Sequence, residues 1–493
     1  MSVFGTNIAV LSAYFYAGTI LTLIFCILVG KELFRSRVIL YLFSLVLIAR
    51  TFPRVVFTYW GGIRYGFGIL ALFFVLRYFK IEQVRWMFLA GLTSAVGFFT
   101  SMEIGVCLIA GVLVALAFSW TLKVQTRKKA ARALLFYCAG FAAVAAPYFL
   151  YLALTHSLVP FLESLYAVIT TKDVVINPRI ISPIPSNPLE ALVAMLVPTG
   201  KNFRHMTPSY FYIVFGLYLW GRIKRKAFEK TDLGLIAIAV YGLVMYNTAF
   251  RNIWAAQFEM ALQPEKILYF LLLERIYFYF REGKTLPAVM GLKRLKLARA
   301  SRMAAVFLFL LALSSIGYSL QRFAHRFFAF KYVIALVSGK DTKALRPMAD
   351  VEMRPLNIER GKGMVVPVAQ AEEIEEVVGF LKEHTWPEEA VLMYPELGTY
   401  SFFADRPFVG RFPIPTFSWF SEKWHREFVE NFKKKEPRFV VMIKEFPINW
   451  KEVYLGREEN VRKYKELTDI VYADYTLKKT TPGSYVYELK KKK

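Results

Sequence analysis

Long apolar runs separated by short clusters of lysine and arginine fill the first two thirds of the chain, and the pattern turns polar and amphipathic beyond about residue 335. A helix needs ~20 apolar residues to cross ~30 Å of hydrocarbon, and fewer where Trp, Tyr, Lys or Arg anchor its ends. On that measure the pattern predicts about ten spans, near 8–29, 38–58, 64–80, 85–100, 103–121, 132–154, 208–222, 233–250, 264–280 and 303–320. The second and third are the most interrupted. Arg50, Pro53 and Arg54 break one run, and only Trp60-Gly61-Gly62 separates it from the next.

Composition agrees. The 493 residues are 56% hydrophobic and 20% charged, with a mean hydropathy of +0.39, so most of the chain belongs in lipid. A net charge of +26 would suggest nucleic acid in a soluble chain. Here the cations sit between spans, which is how membrane proteins fix orientation, so no nucleic-acid partner is expected. One alternate set of connections is rich in them: Lys31, Arg35 and Arg37; Arg77, Lys80 and Arg85; Lys123 to Arg132; Arg222 to Lys230; and Arg281 to Arg302. The other set is sparse. The rich set is predicted to be cytoplasmic, which puts Met1, the loop 155–207 and the C-terminal domain outside. Cys26, Cys107 and Cys138 all lie in apolar stretches, so neither a disulfide framework nor a zinc site is indicated.

The expected domains are a transmembrane helical domain, 1–335, and a soluble extracytoplasmic α/β domain, 336–493. The loop 155–207 holds Pro178, Pro183, Pro185, Pro188 and Pro198, and an amphipathic run from Leu189 to Leu196 suited to the membrane surface. In the tail, helices are predicted over Ala369–Lys382, Glu422–Lys434 and around Glu458–Leu467. Ala390–Tyr394 and Phe439–Ile443 read as buried strands, and Asp469–Tyr475 and Ser484–Leu489 as alternating ones.

No phosphate-binding GxxxxGK[ST], dinucleotide GxGxxG, HExxH or GxSxG motif is present. The candidate chemistry lies in polar residues at the predicted outer face. Glu103, in Thr100-Ser101-Met102-Glu103-Ile104-Gly105, is an ionisable group in or beside lipid, costly there and often functional; its plain reading is a solvated carboxylate in a tight turn. Arg251 follows an apolar span, where a guanidinium can clasp a lipid phosphate or anchor to ordinary headgroups. Lys201, Arg204 and His205 form the densest outer basic group, read as anion binding or interfacial anchoring. Arg64, with Arg50 and Arg54, lines a polar cavity or simply finds packing partners.

The order of features resembles the C-type membrane glycosyltransferases, the group that includes the dolichyl-phosphate-mannose protein mannosyltransferases and bacterial aminoarabinose transferases. Phe4-Gly5-Thr6-Asn7, leading to a span that ends Val29-Gly30-Lys31-Glu32-Leu33-Phe34, looks like that family's second transmembrane helix. Tyr59 to Arg64, Ser101 to Gly105, and Phe250-Arg251-Asn252 before Gln263-Pro264 look like turns of its bacterial members. Val391-Leu392-Met393-Tyr394-Pro395 and Tyr400 to Pro407 are similar to their small extracytoplasmic α/β domain.

The resemblance implies transfer of a sugar from a polyprenyl-phosphate donor to a lipid, glycan or protein acceptor at the outer face of a cell inner or plasma membrane. It also implies an acidic residue in the first external loop, acting as base or with a divalent metal. The resemblance runs from the family's second helix onward, so no residue here inherits that carboxylate's role; either the chain is truncated, or Glu103 takes part of the work, or the protein is inactive. Arg251, Arg204 and Lys201, with His205 and Arg64, are expected on the phosphate. A transporter or flippase, and a non-catalytic scaffold of envelope polysaccharide assembly, are the rival functions.

Overall fold

The computed structural model describes residues 7–51, 62–170, 201–249, 263–281, 352–395, 399–412, 417, 420–444, 455 and 458–490. The chain divides into two compact units, one of Ser12–Thr155 with Pro183–Arg346, the other of Met1–Leu11, His156–Ser182 and Pro347–Lys493.

The first unit is helical. Its helices are α1 (Ile8–Leu33, whose opening residues belong to the other unit), α2 (Arg37–Thr51), α3 (Gly62–Ile81), α4 (Val84–Thr100), α5 (Met102–Thr121) and α6 (Arg127–Leu154). After α7 (Leu158–Thr170), which belongs to the other unit, come α8 (Lys201–Lys224), α9 (Lys230–Ala249) and α10 (Gln263–Arg281). Helices thus occupy nine of the ten expected places, and 303–320 lies outside the described residues. By length and apolarity only α1, α5 and α6 qualify plainly as spans among the described residues, with Arg37–Ile48 and Val84–Thr100 as shorter apolar helices. The count of ten therefore does not stand as established. α3 carries Arg64, Arg77 and Lys80, and α10 carries Glu265, Lys266, Glu274 and Arg275.

Packing accounts for the arrangement. Phe43, Phe79, Phe215, Tyr241 and Phe270 are fully buried in one continuous core. Ile20, Ile24, Tyr41, Val106, Leu135, Leu150 and Leu154 point outward and are exposed, a distribution suited to lipid. α4 and α6 cross at two glycines, where a Cβ on Gly91 would collide with the Tyr137 carbonyl and one on Gly140 with the Phe88 carbonyl. Such close backbone approach needs small residues.

The basic connections converge at one end of this unit. Glu32, at the end of α1, accepts from Arg77 at 3.3 Å and Lys80 at 3.1 Å, both in the last turns of α3. Glu82, between α3 and α4, takes Lys129 from the start of α6 at 3.2 Å and Lys230 from the start of α9 at 2.9 Å. The Lys230 hydrogen bond, with help from Lys129 and Gln125, holds the Glu82 carboxyl below its ordinary value. Glu274 of α10 is fully buried, and one of its oxygens accepts the Arg35 and Ser36 backbone N–H groups, both at 2.7 Å. It thereby satisfies donors at the entry to α2, so this buried carboxylate has a structural role.

The second unit is an α/β layer built on a four-stranded sheet in the order β3 (Val391–Tyr394), β4 (Phe439–Ile443), β6 (Ser484–Leu489), β5 (Tyr475–Thr480). β3 and β4 run parallel and the other pairs antiparallel. A small hairpin of β1 (Met353–Pro355) and β2 (Val365–Pro367) precedes it. Alternation splits the sheet residues between two cores. Val391, Met393, Phe439 and Val441 face α11 (Val368–His384) and α12 (Thr399–Ala404), whereas Leu392, Tyr394, Val440 and Met442 face α13 (Glu422–Lys435) and α14 (Glu458–Asp474). The strand expected over Asp469–Tyr475 is a correction: α14 continues through Asp474 and the strand begins at Tyr475. Buried Asn460, Lys463, Leu467, Thr468 and Val471 show the helical spacing that decides it. α7 was not anticipated. Its Glu163 pairs with Lys423 at 3.1 Å, and Ala9 N–H donates to Lys362 O at 3.0 Å, tying both short segments to the tail.

His425 links α13 to α14. Its Nε2 meets the Glu466 carboxylate at 2.9 Å, whereas Nδ1 is buried without a hydrogen-bond partner, which assigns the ring proton to Nε2. Burial lowers its pKa from 6.5, against the opposing pull of Glu466 and Glu422 and with Lys463 adding to the depression. The unfolded chain then binds the extra proton first, so stability should decline as pH falls from about 6.5 toward the lower folded value and level off below it. Amide exchange of α13 and α14 between neutral and mildly acidic pH checks this. His425→Gln should flatten the dependence, and an unchanged slope would contradict it.

Candidate functional site

The first turn of α10 starts with Gln263 and Pro264 buried in the helical unit and goes on to Glu265 and Lys266, both half-buried. A Cβ on Gly242 of α9 would stand 2.8 Å from Pro264, and Gly242 is 12 residues beyond Lys230, roughly 18 Å along the axis from the basic end. Cys26 Sγ of α1 approaches Gln263 Oε1 at 3.8 Å. Gln263-Pro264-Glu265-Lys266 therefore begins a helix near mid-depth, where irregular or ionisable groups persist only if buried in protein or lining a polar cavity.

Tyrosines surround this turn. Tyr212 of α8 lies with its hydroxyl against Gly242, and Tyr212 and Tyr269 are within electrostatic reach of Glu265. Tyr246 is near Tyr212, and Tyr65 of α3 near Tyr241. A Cβ on Gly68 would stand 2.5 Å from the Tyr241 hydroxyl and 2.9 Å from Ile104, bringing the start of α5 against the same layer. Thr19 and Thr22 of α1 are fully buried, with hydroxyls donating to the Phe15 and Gly18 carbonyls. The cluster thus offers a carboxylate, an ammonium and several phenols on four or more helices. A helix N-terminus adds positive partial charge beside Glu265 and Lys266.

Sequence reading passed over Glu265 and Lys266. The signal was present, because two ionisable residues follow Gln263-Pro264 inside the expected span 264–280. Of the expected site residues, Glu103 occupies the first turn of α5 and its side chain is exposed, one position from the buried Ile104. Lys201, Arg204 and His205 lie in the first two turns of α8, upstream of Tyr212, and Arg64 lies in α3 just before Tyr65; the described residues do not include these side chains. Arg251 falls outside the described residues, as do Arg54 and the run Leu189–Leu196. Among the described residues no group of three or more His, Cys, Asp or Glu side chains could hold a metal ion, so the divalent ion that the resemblance allows has no fitting set here.

No protein-family model matches the chain, and no curated protein does. Among solved structures, it is similar to the archaeal oligosaccharyltransferase AglB from Archaeoglobus fulgidus in complex with an inhibitory peptide and a dolichol-phosphate, at 13% identity and TM-score 0.47, covering 98% of this chain and 63% of that one. The same organism's oligosaccharyltransferase in complex with zinc and sulfate matches at 15% identity and TM-score 0.43, covering 98% and 61%. Its apo form matches at 13% and 0.47, covering 98% and 64%. These neighbours are C-type glycosyltransferases, the class the sequence resembles. The chain spans less than two thirds of their length, and at this distance the likeness assigns no residue a role.

Proposed function

We propose that the chain is a membrane glycosyltransferase that moves a sugar from a polyprenyl-phosphate donor to a lipid, glycan or protein acceptor on the outer face of a cell inner or plasma membrane. The observation that supports it best is the Glu265–Lys266 turn, an acid beside a base at mid-depth, with Tyr212 and Tyr269 within electrostatic reach of Glu265. Such a group is costly in lipid and marks a substrate path by default. The positive-inside pattern supports an arrangement in which the C-terminal domain is extracytoplasmic.

In the proposed reaction the acceptor hydroxyl attacks the anomeric carbon, the bond from that carbon to the phosphate oxygen breaks, and polyprenyl phosphate leaves with the bond's electron pair. A carboxylate takes the hydroxyl proton. Glu265 is the better placed candidate, and Glu103 the one nearer the outer end. Lys266, with Arg251, Arg204 and Lys201, would meet the charge that develops on the phosphate, and His205 and Arg64 would extend that contact. The polyprenyl tail stays in lipid throughout.

Arg251→Ala should abolish transfer from a polyprenyl-phosphate sugar while the protein accumulates normally. Full transfer by that variant would remove Arg251 from the mechanism. Movement of the intact donor across vesicles, with no covalent product from the unaltered chain, would instead favour the transporter reading.

A further inference from the structure

At the basic end of the helical unit a cavity of about 720 Å³ opens between the end of α3, the α5–α6 connection and the α8–α9 connection. Phe79, Leu122, Val124, Ile223 and Phe228 form its apolar wall. Lys80, Lys123, Lys226 and Lys230 bring four cations against one carboxylate, Glu229. Lys80 is engaged by Glu32 at 3.1 Å and Lys230 by Glu82 at 2.9 Å. Glu229 reaches toward Arg222 at 3.7 Å. Lys123 and Lys226 have no ion-pair partner among the described residues, so the cavity keeps two uncompensated positive charges.

Two further features point to a ligand. Lys123 (φ 52°) and Lys226 (φ 56°) both hold the left-handed backbone just past the ends of α5 and α8, a place where glycine is the usual residue. Lysine is thus present where backbone preference argues against it. Trp120 and Trp220 stand exposed near the same two helix ends, each beneath a cation, with Arg127 5.4 Å and Lys224 5.3 Å from the ring centres. Exposed tryptophans paired with cations mark the headgroup layer of a membrane. A half-apolar cavity at that level, with free ammonium groups, suits a phosphodiester attached to acyl chains better than a free ion.

We propose that this cavity binds the phosphate of an anionic phospholipid from the leaflet on the basic side of the membrane. The inference rests on reading that end as the cytoplasmic one and is independent of the transfer chemistry. Helix-terminal carbonyls attract lysine too. Lys123→Gly with Lys226→Gly separates the two contributions, because glycine suits both backbone conformations and only the ammonium groups are lost.

The test is native mass spectrometry of the purified full chain in mixed micelles of phosphatidylglycerol and phosphatidylcholine. The unaltered chain should retain phosphatidylglycerol in preference, and the double glycine variant should lose that preference by about thirtyfold, two lysines at the strength each has near a lipid surface. Equal retention of both lipids, or a preference undiminished in the variant, would overturn the site. Displacement of the lipid by millimolar inorganic phosphate would overturn the lipid assignment in favour of a free anion. Each result stands whether or not the chain transfers sugar.

Discussion

Glu265→Gln should lower sugar transfer by roughly a hundredfold or more, because the change keeps the shape of the side chain and removes the group proposed to take the acceptor proton. The comparison is made with protein reconstituted in liposomes, reading the release of polyprenyl phosphate. A loss of turnover with nearly unchanged donor affinity is the expected pattern, since a base acts in the transition state rather than in the bound complex. Glu103→Gln in parallel tells the two carboxylates apart. If Glu265→Gln retains full turnover and Glu103→Gln does not, the catalytic base is the one on α5 and the α10 turn is structural. The neighbouring Lys266→Met should act differently, weakening donor binding as well as turnover, because its charge is proposed to meet phosphate in both states.

Gly140→Leu is expected to be the most damaging single change to the fold. A side chain there must enter space held by the Phe88 carbonyl and the Leu92 backbone nitrogen of α4, and a main chain on a packed helix cannot step aside as a flexible side chain could. Overpacking of this kind costs about 3 kcal/mol. Thermal unfolding of the detergent-solubilised chain should show a large drop in midpoint and a low yield of monodisperse protein. Gly91→Leu, on the facing helix against Tyr137 and Phe141, should do the same. Gly216 of α8 is the control: nothing lies within 4 Å of a Cβ added there, so Gly216→Ala should be neutral or stabilising by up to about 1 kcal/mol. Equal tolerance at Gly140 and Gly216 would mean that α4 and α6 do not pack as described.

The helical unit was legible because its signal is long and repetitive. Apolar runs of span length placed α1 and α3 through α6 within a few residues, and the alternate basic clusters put Arg77, Lys80, Lys129 and Lys230 in one set, which Glu32 and Glu82 gather at one end of the unit. The inner strands of the sheet were equally plain, since short runs such as Phe439–Ile443 bury both faces. Asp469–Tyr475 misled because Ile470, Tyr472 and Val471 suit either period over so short a run; the deciding positions, Asn460 and Lys463, are polar residues that the helix nonetheless buries. α7 was hidden by Pro160 and by the proline-rich sequence that follows it.

The site was read less well, for a physical reason. Sequence distance gives depth along one helix, so Arg251 and Lys201 looked prominent as charges beside an apolar run. It does not give which helices adjoin, and only the packing of Gly242 on Pro264 and Tyr212 shows that α10 begins inside the unit with Glu265 and Lys266 at that depth. Glu274 shows the converse. An equally conspicuous charge in the same helix turned out to satisfy the backbone of Arg35 and Ser36.

The proposed reaction requires the tail and the start of α10 to be served from the compartment opposite the basic clusters. Labelling with a membrane-impermeant maleimide tests this directly, using single cysteines placed at Trp386, which is exposed at 73% in the tail, and at Lys128 in the basic connection before α6. In intact cells the Trp386→Cys chain should label and the Lys128→Cys chain should label only after the membrane is opened. Labelling of Lys128→Cys in intact cells, with Trp386→Cys protected, would contradict the account.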